Sequence, residues 1–235
     1  MLNQSFSRRN LFTAAATTGA AVSLLHRSDL FAAEPPKIDF SKLSPAESLV
    51  KLFEGNKRFV AGEIRAPRRD IERLREVAPT QKPFAAILGC ADSRVPVEIV
   101  FDQGFGDLFV TRIAGNVAST ENIASLEFGT EILGAKVILV LGHTNCGAVV
   151  ATASARAVPG QISALYQLIR PAIRSAKGDV VKAIYENVKL QVQTLSEASP
   201  VLAERIAKGQ LVMAGGVFDL ETGIVHPVEL PGVST

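Results

Sequence analysis

Short apolar runs alternate with amphipathic stretches along most of this chain, and the apolar runs predict buried β-strands. Phe84–Leu88, Leu108–Ile113 and Lys136–Leu141 are each followed within two residues by glycine. A short apolar run that ends at a turn residue is typical of a buried strand. The third run, KVILVL, has no polar residue after its lysine. This pattern predicts a strand that is covered on both faces, as in a parallel sheet.

The amphipathic stretches predict helices between these strands. Ser44–Glu47 has the sequence of a helix start, with a capping serine, proline in the first turn and glutamate three residues after the cap. Apolar spacing predicts three further helices: Asn122–Leu133, Ile162–Lys177 and Val180–Leu195. We expect the second of these to be interrupted at Pro171, because proline lacks a backbone N–H. Residues 65–82 are charged and flanked by proline, which predicts a connecting arm or a surface helix.

The last part of the chain predicts a β-hairpin. Leu211–Leu220 and Gly223–Val228 have strand character and are joined by a turn through Glu221-Thr222-Gly223. Together with the alternating elements before it, this pattern predicts an α/β fold. We expect a mostly parallel central sheet flanked by helices, with an extended N-terminal helical arm and a C-terminal β-hairpin. Residues 34–235 are expected to form a single domain.

The first 33 residues predict an export signal. Ser7–Phe12 (SRRNLF) resembles a twin-arginine signal, and an uncharged run, Leu11–Leu25, follows the arginine pair. This run is too short for a membrane span, which needs about 20 apolar residues. Cleavage is expected after Ala32 or Ala33, although neither completes an Ala-x-Ala site. We therefore predict export to the periplasm by the twin-arginine route, with an uncleaved amphipathic helix as the alternative.

Composition and charge exclude several classes of protein. Hydrophobic residues make up 47% of the chain, which excludes a disordered protein and allows a sizeable core. The 25 basic and 23 acidic side chains nearly cancel, and the small excess lies in residues 1–33. A broad nucleic-acid surface needs a clustered surplus of lysine and arginine, so no nucleic-acid partner is expected. Two cysteines are too few for a disulfide-dense scaffold.

The candidate chemistry follows the predicted strands. Cys90 comes after the first strand, while His143 and Cys146 come after the third. Ligand sites in open α/β sheets form beyond the carboxyl ends of strands, and two thiolates with an imidazole are ligands that Zn²⁺ prefers. Three ligands leave a fourth position open, as in catalytic zinc sites, and nothing places His226 near them. A disulfide between the two cysteines is the alternative for an exported protein.

The two strings that hold these residues resemble the β-class carbonic anhydrases. Cys90–Arg94 reads Cys-x-Asp-Ser-Arg, and His143–Cys146 reads His-x-x-Cys. Weaker similarity to the family extends over Glu54–Phe59, Phe109–Asn116 and the C-terminal hairpin. The resemblance implies one Zn²⁺ per subunit and reversible hydration of carbon dioxide to bicarbonate and a proton by zinc-bound hydroxide. It also implies a homodimer or a higher homo-oligomer.

The resemblance implies roles for further residues. Asp92 would accept the hydrogen of the nucleophile, and Arg94 would hold the Asp92 carboxylate by a bidentate ion pair. Without Arg94, the Asp92 carboxylate could turn onto the zinc and block it. Gln81, nine residues before Cys90, would donate a hydrogen bond to a substrate oxygen and could act on the zinc of a neighbouring subunit. Three residues are candidates for the substrate pocket: Phe109, Ala114 and Gly147.

Two other functions remain open from the sequence. The same site could hydrolyse another small heterocumulene, COS or CS₂, since the motifs do not separate these substrates from CO₂. Alternatively, the zinc could stabilise a non-catalytic interaction protein derived from the enzyme fold. The retained Asp92 and Arg94 argue against this alternative, which predicts that the pair is lost.

Overall fold

A computed structural model describes residues 40–230 of the chain. The predicted export signal of residues 1–33 lies outside the described residues and stays a prediction. Within residues 40–230, no helix is both long enough and apolar enough to span a membrane. Eight α-helices lie in this range: α1 (Pro45–Ala61), α2 (Ile71–Val77), α3 (Val97–Val100), α4 (Thr120–Glu127), α5 (Gly147–Ala153), α6 (Ile162–Ser175), α7 (Val180–Ala198) and α8 (Pro200–Ala207). Short 3₁₀ and π turns add Phe40–Lys42 and Phe128–Ile132.

Five strands in this range form one mixed sheet: β1 (Ala85–Gly89), β2 (Leu108–Arg112), β3 (Val137–His143), β4 (Val212–Phe218) and β5 (Val225–Val228). Their spatial order is β2-β1-β3-β4-β5. The first four strands run parallel, and β5 pairs antiparallel with β4 as the predicted C-terminal hairpin. The predicted α/β fold with a mostly parallel sheet is therefore confirmed.

The two central strands are buried on both faces, as their apolar sequences predict. All residues of β1 and β3 are buried. Alternate residues point to opposite sides, so that Leu88 and Val140 join one core while Ile87 and Leu139 join the other. Helix α1 packs on the side of Ile87, and α7 packs on the side of Leu88. Each face of the sheet is therefore covered by helices.

Helix α1 begins as the sequence predicts and packs against the sheet of its own chain. The Ser44 hydroxyl accepts a hydrogen bond from the Glu47 backbone N–H, and the Glu47 carboxylate accepts one from the Ser44 N–H. On its buried face, Leu52 is fully enclosed. Gly55 allows the helix to come close, because a Cβ atom there would lie 1.8 Å from the Phe101 carbonyl oxygen. This close packing holds α1, which is the start of the predicted N-terminal helical arm, against the sheet and the α3 region of the domain.

Two predicted helices differ from the observed ones. The predicted interruption at Pro171 is wrong, because α6 runs through it from Ile162 to Ser175. Its buried residues Tyr166, Ile169 and Ala172 lie on both sides of the proline, and their packing offsets the hydrogen bond that Pro171 cannot donate. The predicted helix over Asn122–Leu133 is α-helical only as α4 and then widens into the π turn Phe128–Ile132.

Candidate metal centre

Three metal-binding side chains meet where two neighbouring strands end. Cys90 follows β1 directly, His143 is the last residue of β3, and Cys146 is the N-cap of α5. Since β1 and β3 are adjacent and parallel, their carboxyl ends meet at the same edge of the sheet. The ligand atoms of the three residues lie within 4.8 Å of one another, and all three side chains are buried. Among residues 40–230 this group has no fourth member, and His226 lies in β5 opposite Val217.

The ring of His143 is oriented to bind a metal through Nε2. Its Nδ1 atom lies 2.8 Å from the carbonyl oxygen of Thr144, which can only accept a hydrogen bond. Nδ1 therefore carries the proton, and Nε2 presents a lone pair to the site. Nε2 is buried and has no hydrogen-bond partner in the described structure. An unpaired ring nitrogen that faces two thiols fits a soft or borderline divalent cation such as Zn²⁺.

The two cysteines are free thiols, so the structure does not contain the disulfide considered above. The Cys146 thiol donates a hydrogen bond that lowers the pKa of Cys90, and the Gly115 N–H adds to this effect. The same thiol–thiol bond, together with burial, raises the pKa of Cys146. Of the two thiol protons, the proton of Cys146 is therefore held more tightly than that of Cys90. A divalent cation would displace that proton, because the thiolate is the form that binds metal.

A carboxylate and two arginines border the three ligands. Asp92 Oδ2 lies 3.7 Å from His143 Nε2. Arg94 donates to both Asp92 oxygens, at 2.9 and 2.8 Å, and its backbone N–H donates a third bond at 2.9 Å. The Arg94 guanidinium holds the pKa of Asp92 well below its usual range, so this carboxylate is ionised at neutral pH. Arg112 donates to the carbonyl oxygens of Cys90 and Asp92, at 2.9 and 2.6 Å, and thereby orients the loop that carries both residues.

The comparisons with known proteins agree with this arrangement. The family model described as carbonic anhydrase matches residues 85–225, which contain all three ligands. Carbonic anhydrase 2 of Mycobacterium tuberculosis is 37% identical over 188 residues, which cover 77% of this chain and 91% of the relative. The chain belongs to the carbonic anhydrase family.

Solved carbonic anhydrase structures share the fold. The β-carbonic anhydrase of Coccomyxa, determined in complex with acetazolamide, is 32% identical with a TM-score of 0.60. That match covers 77% of this chain and 86% of the Coccomyxa chain. One of two tetrameric β-carbonic anhydrases from Sordaria macrospora has a TM-score of 0.63 at 23% identity. It covers 69% of this chain and 87% of the other, and at this identity the likeness shows the fold alone.

Of the other predicted site residues, Ala114 and Gly147 lie beside the candidate metal ligands, whereas Gln81 does not. Ala114 lies in the loop after β2, next to Gly115, whose N–H contacts Cys90. Gly147 is the first residue of α5, and the space around its Cα is open. Gln81, by contrast, is exposed and precedes β1, so the length of this strand, about 17 Å, separates it from Cys90.

Phe109 also lies away from the ligands of its own chain. It pairs with Ala86 in the middle of β1, and its ring centroid is 6.3 Å from that of Phe128. A Cβ atom on Gly129 would lie 2.7 Å from the Phe109 ring, so the π turn packs directly on it. The roles assigned to Phe109 and Gln81 therefore stay predictions that require a second copy of the chain.

Several residues that support the metal ligands were not predicted from the sequence. They are the Thr144 carbonyl on His143, the Arg112 guanidinium on the Cys90 loop and the Gly115 N–H on the Cys90 sulfur. Backbone contacts leave no signature in the residue types. Asn187 and Gln191, which bond to the loop of residues 115–118, do leave a signal, because they interrupt an otherwise apolar helix face at a spacing of four.

Proposed function

We propose that this carbonic anhydrase family member catalyses the reversible hydration of carbon dioxide to bicarbonate and a proton with one Zn²⁺ per chain. The observation that carries the proposal is the buried group of Cys90, His143 and Cys146, with ligand atoms within 4.8 Å of one another and no fourth protein ligand in the described residues. Three protein ligands leave one position for solvent, which distinguishes a catalytic zinc site from a structural one.

The three ligands would hold the ion in fixed orientations. His143 would bind through Nε2, because its Nδ1–H is engaged by the Thr144 carbonyl. The thiolates of Cys90 and Cys146 would make the site formally neutral. When bound, Zn²⁺ supplies a Lewis acid that generates a water-derived nucleophile at neutral pH.

Asp92 and Arg94 would orient that nucleophile. The Asp92 carboxylate is ionised and lies at the entrance to the ligand group, so its free lone pairs can accept a hydrogen bond. Arg94 fixes the plane of the carboxylate by its two hydrogen bonds. The same ion pair would keep Asp92 from turning into the open position, because that turn breaks both bonds.

A second copy of the chain would complete the pocket. Gln81 lies at the far end of β1 from Cys90 and is exposed, which supports a role at the ligand group of a neighbouring chain. We therefore propose a homodimer or larger homo-oligomer, in which Gln81 donates to a substrate oxygen and Phe109 adds apolar surface. Ala114 and Gly147, which adjoin the ligands, would line the same pocket from within the chain. The tetrameric assembly of the Sordaria macrospora enzymes is consistent with this proposal.

Metal analysis and stopped-flow kinetics test the proposed function together. Purified protein is expected to contain one zinc per chain and to hydrate CO₂, whereas Cys146→Ser should lose both properties. COS and CS₂ are run alongside, because turnover of either gas without CO₂ hydration would reassign the substrate. Zinc-loaded protein that turns over none of the three gases would indicate a structural role for the metal.

We also propose that residues 1–33 direct export by the twin-arginine route. The support is the arginine pair Arg8-Arg9 ahead of the uncharged Leu11–Leu25. Because that route carries folded proteins, zinc would bind before the thiols meet an oxidising compartment. Replacement of both arginines by lysine should leave the precursor inside the cell, as measured by fractionation. Unchanged export of this variant would contradict the proposal.

A further inference from the structure

Two amide side chains lie in the most buried part of helix α7. Asn187 is 1% exposed and Gln191 is 2% exposed. Their neighbours on the same helix face, Val188 and Leu195, are fully buried apolar residues. Burial of a polar side chain costs free energy unless its hydrogen bonds are satisfied. We therefore expect both amides, which lie one turn apart, to have hydrogen-bond partners inside the protein.

The partner is the loop that follows β2. Asn187 Nδ2 donates to the Gly115 carbonyl oxygen at 2.9 Å. Gln191 Oε1 accepts from the Ala118 backbone N–H at 2.8 Å. Gln191 Nε2 donates to Asn187 Oδ1 at 3.0 Å and to the Leu168 carbonyl oxygen at 3.2 Å. The Ala118 donor thus sets the orientation of the Gln191 amide, which in turn sets that of Asn187.

The same loop reaches the candidate metal centre. The backbone N–H of Gly115 donates to the sulfur of Cys90 at 3.3 Å, and its carbonyl is the group held by Asn187. Gly115 has a φ of +77°, and a Cβ atom there would lie 2.7 Å from Ile169 Cδ1. The loop therefore lies tightly between Cys90 and helices α6 and α7, and Gly115 contacts both the Cys90 sulfur and the Asn187 amide.

Glycines bring α7 close enough for these contacts. A Cβ atom on Gly142 of β3 would lie 2.8 Å from Val188, and one on Gly215 of β4 would lie 2.7 Å from the same side chain. Any larger residue at either position would push the helix away from the sheet. The helix is thus held at a fixed distance from the strand that ends at His143.

We propose that Asn187 and Gln191 are positioning residues for the metal ligand Cys90. Through the loop of residues 115–118 they hold the Gly115 N–H on the thiolate, and this bond sets the strength and orientation of the sulfur–metal contact. Hydrogen bonds from outside the ligand shell tune metal sites in this way, and their loss typically weakens metal binding 10–100-fold. The inference rests on the zinc site of the proposed function.

The test compares one substitution at two positions of the same helix. Gln191→Met keeps the length of the side chain but removes the bonds to Ala118, Asn187 and Leu168. Gln193→Met makes the same change at an exposed position, where the glutamine donates a hydrogen bond to Glu197 on the helix surface. Zinc affinity is measured by competition with a chromogenic chelator. The sulfur-to-cobalt charge-transfer band is recorded on the cobalt-substituted proteins.

Gln191→Met is expected to bind zinc about tenfold more weakly than the wild type. Its charge-transfer band should move to lower energy, because a thiolate that loses an N–H donor is a better electron donor. Gln193→Met should match the wild type in both measurements. A merely structural role for the amides would lower thermal stability without moving the band, and that result would overturn the proposal.

Two further measurements cover the other outcomes. If Gln191→Met does not fold, Asn187→Ser removes the amide that holds Gly115 while keeping Gln191, and the same two results are expected of it. In wild-type protein loaded with ¹¹³Cd, the Gly115 amide proton should show scalar coupling to the metal, and its absence would overturn the proposal. Wild-type protein that binds no zinc would instead refute the proposed function itself.

Discussion

The buried carboxylate of Asp102 holds the segment that links α1 to α2, and its removal should lower the free energy of unfolding. Asp102 is fully buried and accepts hydrogen bonds from Arg58 Nε at 2.7 Å and from the N–H groups of Arg65 and Ala66 at 3.2 and 2.9 Å. Asp102→Asn keeps the shape of the side chain but removes its charge and one of its acceptor oxygens. Arg58 then loses its charged partner, and one backbone N–H faces an amide donor.

The size of the effect follows from this burial. Removal of one partner of a buried ion pair typically costs about 3–5 kcal/mol. In a domain of this size, that loss corresponds to a fall in Tm of about 6–20 °C. Burial alone would raise the pKa of Asp102, but Arg58 and the two backbone donors outweigh it and lower the pKa. The stabilisation is therefore complete above the ordinary aspartate pKa of about 3.9 and is lost as the pH falls through the lower pKa of the folded state.

Urea unfolding followed by circular dichroism at pH 7 and at acidic pH measures both parts of this prediction. Asp102→Asn should be several kcal/mol less stable than the wild type at pH 7, and the difference should narrow below about pH 4. Glu98→Gln, a neutralised carboxylate at an exposed position, is the control and should change stability little. Equal stability of Asp102→Asn and the wild type at pH 7 would refute the reasoning.

Three other predictions concern the metal centre directly. Arg94→Ala should lower kcat/KM for CO₂ hydration about tenfold and shift the pH dependence of activity to higher pH, because Asp92 is then free to compete for the open metal position. Stopped-flow assays measure both effects, and an unchanged pH dependence would contradict this role of Arg94. Cys146→Ser should retain almost no zinc after dialysis, which elemental analysis measures, since two protein ligands remain. Gly115→Ala should lose about 2–5 kcal/mol of stability, because alanine is strained at this φ and its Cβ would overlap Ile169. Thermal unfolding measures this loss, and a variant that melts like the wild type would show that the loop relaxes without cost.

Much of the fold follows from local patterns in the chain. The apolar run of β3 predicts its own burial, because only a strand covered on both faces can hide five consecutive apolar side chains. The capping residues at Ser44 and Glu47 similarly predict where α1 begins. Local patterns failed at Pro171 and at the π turn Phe128–Ile132, where packing between distant parts of the chain outweighs helix propensity.

The sequence was enough to name the candidate metal ligands and the segments that form the main strands, but not the order of the strands in the sheet. Their residue types define the chemistry, and their places after apolar runs put them at one edge of a parallel sheet. The atoms around them became known only from the folded structure: the Thr144 carbonyl on His143, the Gly115 N–H on Cys90 and the Asn187 amide on the Gly115 carbonyl. The Thr144 and Gly115 contacts are made by backbone groups, which every residue type carries, so no sequence pattern predicts them. Asn187 and Gln191 stand out as amides on an apolar helix face, but their partners depend on the distances that packing sets between layers.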